Sequence, residues 1–210
     1  MHNIGTGGGF AVAPEEWPPI INNIAGFGNE MFTKAKEVYE KIDNMKNECW
    51  YGGRYNDTVQ WFIDLKPTFK SVVESITDEV IIKLEQIADN YQKTDRNKKA
   101  IAESQAKTVT IPDLTKGPDQ GTWINPDRFD QAVSDVNLRL RDMKQKLVYV
   151  LQQIEKLPWE GNARETFIEK YKKYKADLDE CIDKLNSEFT KNSSQDKADY
   201  MKAEKANTMN

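Results

Sequence analysis

The sequence is poor in the side chains that most often carry catalysis or bind metal ions. Its 210 residues include one histidine, His2, and two cysteines, Cys49 and Cys181. These cannot form a Cys/His pair, a Ser/His/Asp triad or a metal-ligand cluster, because His2 lies in a glycine-rich stretch and the cysteines are far apart. We therefore expect no enzymatic activity, no metal ion and no other cofactor. We expect both cysteines to be unbridged apolar side chains.

An excess of positive charge is also missing. The chain has 30 Lys and Arg residues against 34 Asp and Glu residues, and its net charge is −4. No stretch collects basic side chains without nearby carboxylates, so we expect no binding to nucleic acid. The sequence lacks an apolar run of membrane-spanning length, and residues 1–14 lack the basic head and apolar stretch of a secretory signal peptide. We therefore expect neither a membrane span nor a cleaved leader.

What the sequence does contain is helical periodicity. Apolar residues recur at spacings of three and four over long charged stretches, while the 11 Gly and 8 Pro residues lie mostly outside them. This period predicts amphipathic α-helices with narrow apolar stripes. We predict four helices with Pro67 as a kink in the second and no clear strand, Val109–Leu114 being at most a short extended piece. The predicted helices are Ile21–Cys49, Arg54–Asp95, Asn125–Leu157 and Asn162–Glu204.

The most informative feature is an internal repeat. Trp50-Tyr51-Gly52 recurs as Trp159-Glu160-Gly161, an offset of 109 (159 − 50). Tyr91 with Asp95 recurs at the same offset as Tyr200 with Glu204 (200 − 91). A looser echo lies upstream, where Trp17 and Trp123 each precede a proline-marked helix start. Apolar positions share the 109 offset: Phe27, Met31, Val38, Ile42, Met45, Phe62, Leu65, Phe69, Val72, Val73, Ile76 and Val80 map onto Val136, Leu140, Leu147, Leu151, Ile154, Tyr171, Tyr174, Leu178, Cys181, Ile182, Leu185 and Phe189.

The repeat predicts an all-α fold of two helix-turn-helix hairpins packed as an elongated antiparallel four-helix bundle. We divide the chain into a disordered tail (1–15), a first hairpin (16–96), a linker (97–122) and a second hairpin with a C-terminal tail (123–210). The linker of about 25 residues can span about 80 Å, more than the roughly 60 Å length of the second helix. It therefore permits antiparallel docking, in which each corner lies near the tyrosine of the other hairpin.

Each Trp-x-Gly corner has a physical rationale. Gly52 and Gly161 allow the sharp reversal between two long helices, and Trp50 and Trp159 can seal the bundle end. Physical reasoning alone favours this structural role over recognition. The spacing of i and i+4 places each tyrosine and its acidic residue on one helix face. One such pair is a weak signal, but two pairs, each with its tyrosine 41 residues after a corner tryptophan (91 − 50 and 200 − 159), are a stronger one.

With these motifs the chain resembles the Trp-x-Gly (WXG) hairpin family of type VII secretion, the ESAT-like small proteins of mycobacteria and other Gram-positive bacteria. Members are single hairpins that pair as antiparallel four-helix bundles and are exported folded, without a cleaved signal peptide. Their export signal combines a Trp-x-Gly corner with a tyrosine and an acidic residue four positions later. The residues that match are Trp50, Gly52, Trp159 and Gly161 for the corners, with Tyr200, Glu204, Tyr91 and Asp95 for the tyrosine–acid motifs.

The resemblance implies a protein made in the cytoplasm and secreted to the exterior or the cell surface, where it acts through protein contacts. Its expected partners are the type VII machinery with its ATPase, and a larger toxin or another WXG-like protein, but no small-molecule substrate. Because two hairpins share one chain, we expect a monomer that needs no second subunit. Tyr200 and Glu204, near the C-terminus, are better signal candidates than Tyr91 and Asp95, which precede the linker.

Two alternatives remain open at this point. The chain could be a cytosolic adaptor that escorts a larger type VII toxin, which would co-purify with that toxin through an exposed apolar groove. It could also be a helical scaffold or a membrane-active bundle with no tie to secretion, although the acidic net charge argues against membrane binding. Recovery from culture medium without a toxin partner would favour the secreted substrate.

Overall fold

The computed structural model of the protein describes residues 11–75, 79–94 and 110–208, and within these ranges it is mainly helical. A short 3-10 turn at Pro14–Glu16 precedes the first long helix. One small antiparallel sheet joins β1 to β2, with Trp50 paired to Ile124 and Tyr51 paired to Trp123. The elements in chain order are α1 (Trp17–Glu48), β1 (Trp50–Tyr51), α2 (Gly53–Glu74), α3 (Val80–Thr94), β2 (Trp123–Ile124), α4 (Pro126–Glu155) and α5 (Asn162–Thr208). The prediction of an all-α fold is confirmed.

The start of α4 shows how local sequence sets a helix boundary. The backbone N–H of Arg128 donates to the side-chain oxygen of Asn125 at 3.2 Å, so Asn125 caps the helix. Pro126 occupies the first helical position, where its missing N–H costs no intrahelical hydrogen bond. The predicted start of this helix is therefore confirmed, and α4 ends at Glu155, two residues before the predicted end.

The predicted second helix is divided into two elements. We expected one helix from Arg54 to Asp95, whereas α2 ends at Glu74 and α3 begins at Val80. Pro67 lies within α2, so this helix continues past the expected kink position. Asp95 and residues 76–78 lie outside the described residues.

The repeat is visible in the burial of the helices that follow the two corners. Phe62, Phe69 and Val73 are buried in the first copy. Their counterparts 109 positions later, Tyr171, Leu178 and Ile182, are buried as well. Leu65 and Tyr174 are both half-buried, and Val80 and Phe189 are both buried. Ile76 and the side chain of Val72 lie outside the described part, so their pairings with Leu185 and Cys181 are not compared.

The helices that precede the corners follow a different offset from the predicted one. Phe27 and Leu151 are only half-buried, although the 109 offset assigns both to the core stripe. An offset of 112 (129 − 17) instead pairs fully buried positions along both helices. These pairs are Trp17 with Phe129, Ile24 with Val136, Met31 with Met143, Val38 with Val150, Ile42 with Ile154 and Met45 with Leu157. The counterpart of Trp17 is therefore Phe129 rather than Trp123, which is 37% exposed.

The described chain folds as two compact units. Unit 1 comprises Met1–Phe32, Ser71–Val109 and Gln145–Leu178, and unit 2 comprises Thr33–Lys70, Thr110–Lys144 and Asp179–Asn210. Unit 1 contains α3 and the second corner, and unit 2 contains the small sheet and the first corner. Helices α1, α2, α4 and α5 each contribute residues to both units. Each unit is thus built from helical segments of both hairpins.

The predicted linker packs on unit 2 in its described part. Ile111 and Leu114 are buried, with 2% and 6% of their surface exposed. The backbone N–H of Thr115 donates to Asp43 at 2.8 Å, and that of Gly117 donates to Asn56 at 2.8 Å. Residues 110–122 therefore form part of this unit's core and surface rather than a free connection. Of the helices described here, none combines the length and the apolar character required to cross a membrane.

Candidate functional site

The second corner lies in unit 1 and is closed by aromatic contacts. Trp159 is 2% exposed, and Gly161 has a φ of +113°, a backbone conformation that side-chain-bearing residues rarely adopt. The Trp159 ring lies 5.3 Å from that of Trp17 and 5.9 Å from that of Phe167. The corner tryptophan is thus a packing residue that joins the start of α1 to the start of α5.

The residues before α1 cross this corner as an extended strand. The backbone N–H of Ala13 donates to the carbonyl of Pro158 at 3.0 Å, and the N–H of Glu160 donates to the carbonyl of Ala11 at 2.7 Å. Val12 forms an antiparallel bridge with Trp159. We predicted from the sequence that residues 1–15 form a disordered tail, but residues 11–15 are part of the folded corner.

The first corner, in unit 2, has the same construction. Trp50 is fully buried, with its ring 5.3 Å from Tyr55 and 5.2 Å from Phe129. Gly52 has a φ of +133°. The residues before α4 cross this corner in the β1–β2 pairing, and the N–H of Asn125 donates to the carbonyl of Cys49 at 2.8 Å. Each corner is therefore covered by the strand and the first helical turn of the other hairpin.

Tyr200 lies against the first corner. A Cβ built on Gly52 would be 3.2 Å from the Tyr200 hydroxyl oxygen and 2.7 Å from the Thr122 hydroxyl oxygen. Burial raises the pKa of Tyr200, and the nearby carboxylate of Asp196 raises it further. The fourth predicted helix is confirmed at this position, since α5 runs through to Thr208. We expected Tyr200 to face solvent near the end of that helix, but it is half-buried. Glu204, one turn later, is exposed as expected.

An ion-pair cluster accompanies Tyr200 at this corner. The Arg54 guanidinium, in the first turn of α2, lies 2.7 Å from Asp196 and 2.7 Å from Asp199 on α5. The Asp196 side chain is only 7% exposed, and burial raises its pKa even though Arg54 acts in the opposite direction. The hydrogen bond from Arg54 lowers the pKa of Asp199. Sequence reasoning overlooked this cluster because its charges resemble an ordinary solvated helix face.

Tyr91 lies beside the second corner. This half-buried tyrosine of α3 and Trp159 line the same groove in unit 1. Its acidic partner Asp95 lies outside the described residues, so only the tyrosine of this copy can be placed. The structure therefore brings Tyr200 together with Gly52 in one unit and Tyr91 together with Trp159 in the other.

The acidic side chains and the two cysteines bear on metal binding and on nucleophilic chemistry. Within residues 11–75, 79–94 and 110–208, no group of three His, Cys, Asp or Glu side chains could hold a metal ion. Cys49 and Cys181 are free, and burial raises the pKa of both thiols, that of Cys49 to about 11. A buried thiol with a raised pKa is a poor nucleophile.

Comparisons of the chain with protein-family models, with curated proteins and with solved structures gave no match. The two corners and their tyrosines therefore supply the grounds for a functional assignment.

Proposed function

We propose that this protein is a substrate of a Gram-positive type VII secretion system, exported folded and acting through protein contacts without catalysis. The proposal extends the resemblance to the WXG hairpin proteins. In that family the export signal consists of a Trp-x-Gly corner and a tyrosine followed four positions later by an acidic residue. The partner that reads this signal would be the machinery with its ATPase.

The observation that carries the proposal is the contact between Tyr200 and Gly52. The Tyr200 hydroxyl reaches the glycine of the first corner, and the exposed Glu204 follows one turn later on α5. The corner glycine Gly52 and the motif tyrosine Tyr200, the two parts of the candidate export signal, are 148 positions apart in sequence (200 − 52). Both lie in unit 2 of the fold. A composite surface of this kind exists only when the protein is folded, which suits export of a folded substrate.

The aromatic contacts support a self-sufficient chain. Trp17 packs on Trp159 within unit 1, and Phe129 packs on Trp50 within unit 2. Each corner thus obtains its cover from the other hairpin of the same chain, so a second subunit is not needed for that role. We expect a monomer of 24.2 kDa in light scattering after gel filtration. A stable dimer would contradict self-pairing.

The export signal is tested by variants of its two parts in a secreting Gram-positive host. Glu204→Gln and Tyr200→Ala should lower the amount of protein in the medium several-fold, while the cytoplasmic protein stays folded. Glu169→Gln, an exposed glutamate on the same helix, is the matched control and should be exported at the wild-type level. Export of both motif variants at the wild-type level would contradict the assignment.

The same experiment separates the secreted substrate from an adaptor. An adaptor would remain in the cytoplasm and co-purify with a larger protein, whatever residue occupies position 204. Tyr91→Phe provides a further comparison, because its motif precedes the linker and should contribute little to export. If Tyr91→Phe lost export several-fold and Glu204→Gln lost none, the export signal would be assigned to the Tyr91 motif instead of the Tyr200 motif.

A further inference from the structure

Unit 1 contains an open groove between α3 and the first part of α5. The groove has a volume of about 420 Å³, which lies in the range of about 300–1,000 Å³ typical of small-molecule sites. Its walls are mainly aromatic and aliphatic. The side chains that form the apolar walls include Val80, Ile87, Tyr91, Trp159, Phe167 and Tyr171.

The direction of the two helices along the groove follows from one hydrogen bond. The Tyr174 hydroxyl donates to the Glu79 carboxylate at 2.7 Å. Glu79 precedes α3, whereas Tyr174 is the last residue of α5 that lines the groove. The helices therefore run antiparallel, and the end of α3 lies at the Trp159 end of the groove.

Unit 2 contains the equivalent surface with different chemistry. The residues 109 positions away from Ala163, Ile87 and Asn90 are Arg54, Asp196 and Asp199. In unit 2 the Arg54 guanidinium bonds both carboxylates at 2.7 Å and so bridges the two helices. Unit 1 has no charged side chain at any of the three positions, so that bridge cannot form. The two units thus share the helices, and the ionic bridge of unit 2 corresponds to an open apolar surface in unit 1.

Two lysines line this groove, one on each helix. Moving one helical turn inward from the Glu79–Tyr174 contact reaches Lys83 on α3 and Lys170 on α5. Both are exposed, and neither forms a salt bridge with any residue of the described chain. The Lys170 ammonium lies 5.5 Å from the Tyr174 ring. The Glu79 carboxylate lies at the same end of the groove, where it accepts the Tyr174 hydrogen bond and helps to raise the pKa of Lys170. The two lysines and this one carboxylate leave a net positive charge beside the apolar walls, which favours an anion over a cation there.

We propose that this groove binds an elongated monoanionic amphiphile of the fatty-acid class. The anionic head lies between Lys83 and Lys170, and the apolar chain runs toward Trp159 and Tyr91. From the level of Lys83 to Thr94, α3 rises about 16 Å, which is close to the length of an extended dodecanoyl chain. Sequence reasoning missed this site, because its apolar residues share the helical period of the core.

Binding is tested by calorimetric titration of the full chain with sodium dodecanoate below its micellar concentration. We expect one saturable site. Dodecyltrimethylammonium, which has the same chain and a cationic head, should bind at least about tenfold more weakly, a difference of about 1.4 kcal/mol. The double variant Lys83→Gln/Lys170→Gln should lose a similar factor for dodecanoate. Absence of saturable binding, or equal affinity for the two head groups, would overturn the proposal.

The location of the site is tested by introducing into the groove of unit 1 the type of ion pair that bridges the helices in unit 2. Ala163→Arg with Ile87→Asp should abolish dodecanoate binding, because the new ion pair crosses the groove. Ala176→Arg, the same substitution at an exposed position of α5 outside the groove, is the control and should bind as the wild type does. Circular dichroism and melting temperature establish that each variant is folded. Unchanged binding by the folded double variant would contradict the assigned location.

A second measurement does not depend on that double variant. A dodecanoate brominated at its terminal carbon should quench the fluorescence of Trp159, since the chain end lies beside this indole. The quenching should fall clearly in Trp159→Phe, and quenching of Trp17, whose ring lies 5.3 Å from that of Trp159, should account for the remainder. Equal quenching in wild type and Trp159→Phe would place the bound chain elsewhere and overturn the proposal.

Discussion

The hydroxyl of Tyr200 lies against Gly52, so close that a Cβ at Gly52 would be 3.2 Å from the hydroxyl oxygen. This contact joins the middle of the first hairpin to the last helix of the second. Two separate features require a glycine at position 52. The backbone has a φ of +133°, and the space beside the Cα is taken by Tyr200 and Thr122.

Gly52→Ala should destabilise the fold. The left-handed φ strains any side-chain-bearing residue, and the added Cβ would be 2.7 Å from the Thr122 hydroxyl oxygen. We expect a loss of about 2 kcal/mol or more in the free energy of unfolding, measured by urea denaturation. Gly26→Ala is the matched control, because Gly26 is exposed within α1 and a Cβ there meets nothing within 4 Å. That variant should gain about 0.5–1 kcal/mol, and a reversed order of the two would contradict the corner geometry.

The corner tryptophans should contribute far more stability than the exposed one. Trp50→Ala removes a fully buried ring that packs on Tyr55 and Phe129, and we expect a cost of about 3–5 kcal/mol. Trp123→Ala removes a ring that is 37% exposed and contacts Tyr51, for which we expect less than about 1.5 kcal/mol. Thermal unfolding compares the two variants. Similar melting temperatures would show that Trp50 does not seal the corner.

Arg54→Gln should lower the free energy of unfolding, because it removes the ion-pair partner of the nearly buried Asp196 carboxylate. Without the guanidinium, a nearly buried charge lacks its partner, so the variant should lose about 1–3 kcal/mol near neutral pH. Lys144→Gln, whose partner Asp183 is exposed, is the control and should change stability by no more than about 0.5 kcal/mol.

The penalty in Arg54→Gln should depend on pH in a defined direction. Burial already raises the pKa of Asp196, and removal of Arg54 should raise it further. The cost is present where the carboxylate is charged and disappears as protonation neutralises it. In wild type, the lowered pKa of Asp199 gives stability that is complete above its unfolded value and is lost as the pH falls through its folded value. The gap between the two proteins should therefore close in acid, and a constant gap would contradict this account.

The fold should also weaken in alkali. Burial raises the pKa of the Cys49 thiol to about 11 and raises the pKa values of Tyr39 and Tyr55. Above about pH 9 the unfolded chain releases protons that the folded chain retains, so stability falls by up to about 1.4 kcal/mol per pH unit for each group. Urea midpoints from neutral to alkaline pH measure the slope. Cys49→Ala should have a shallower slope, and flat midpoints would show that these groups are accessible.

The sequence predicted the helices and the corners well, because both depend on local signals. The Asn125-Pro126 start and the glycines of the two corners are examples in which a short motif has a definite backbone requirement. The predicted repeat offset that aligns α1 with α4 was wrong by three residues, because the buried positions of the two helices pair at 112 rather than 109. Positions three apart lie on the same helix face, so periodicity alone cannot separate an offset of 109 from one of 112.

Other features depend on contacts between distant parts of the chain. The pairing of Trp50 with Ile124 involves strands of two residues, which have no period to detect. Ile111 and Leu114 resemble linker residues until unit 2 buries them. The ion pairs of Arg54 with Asp196 and Asp199 bring α2 and α5 together over 142 and 145 positions (196 − 54 and 199 − 54). Such partners become visible only once the hairpins are folded.

The most direct test of the proposed function compares secretion in two strains that differ only in the type VII ATPase. Both strains express the wild-type chain at equal cytoplasmic levels, and the medium is assayed together with a cytoplasmic marker that reports lysis. We predict that the intact protein accumulates in the medium only when the ATPase is present. Equal amounts in both media, or retention in both cytoplasms, would contradict the assignment.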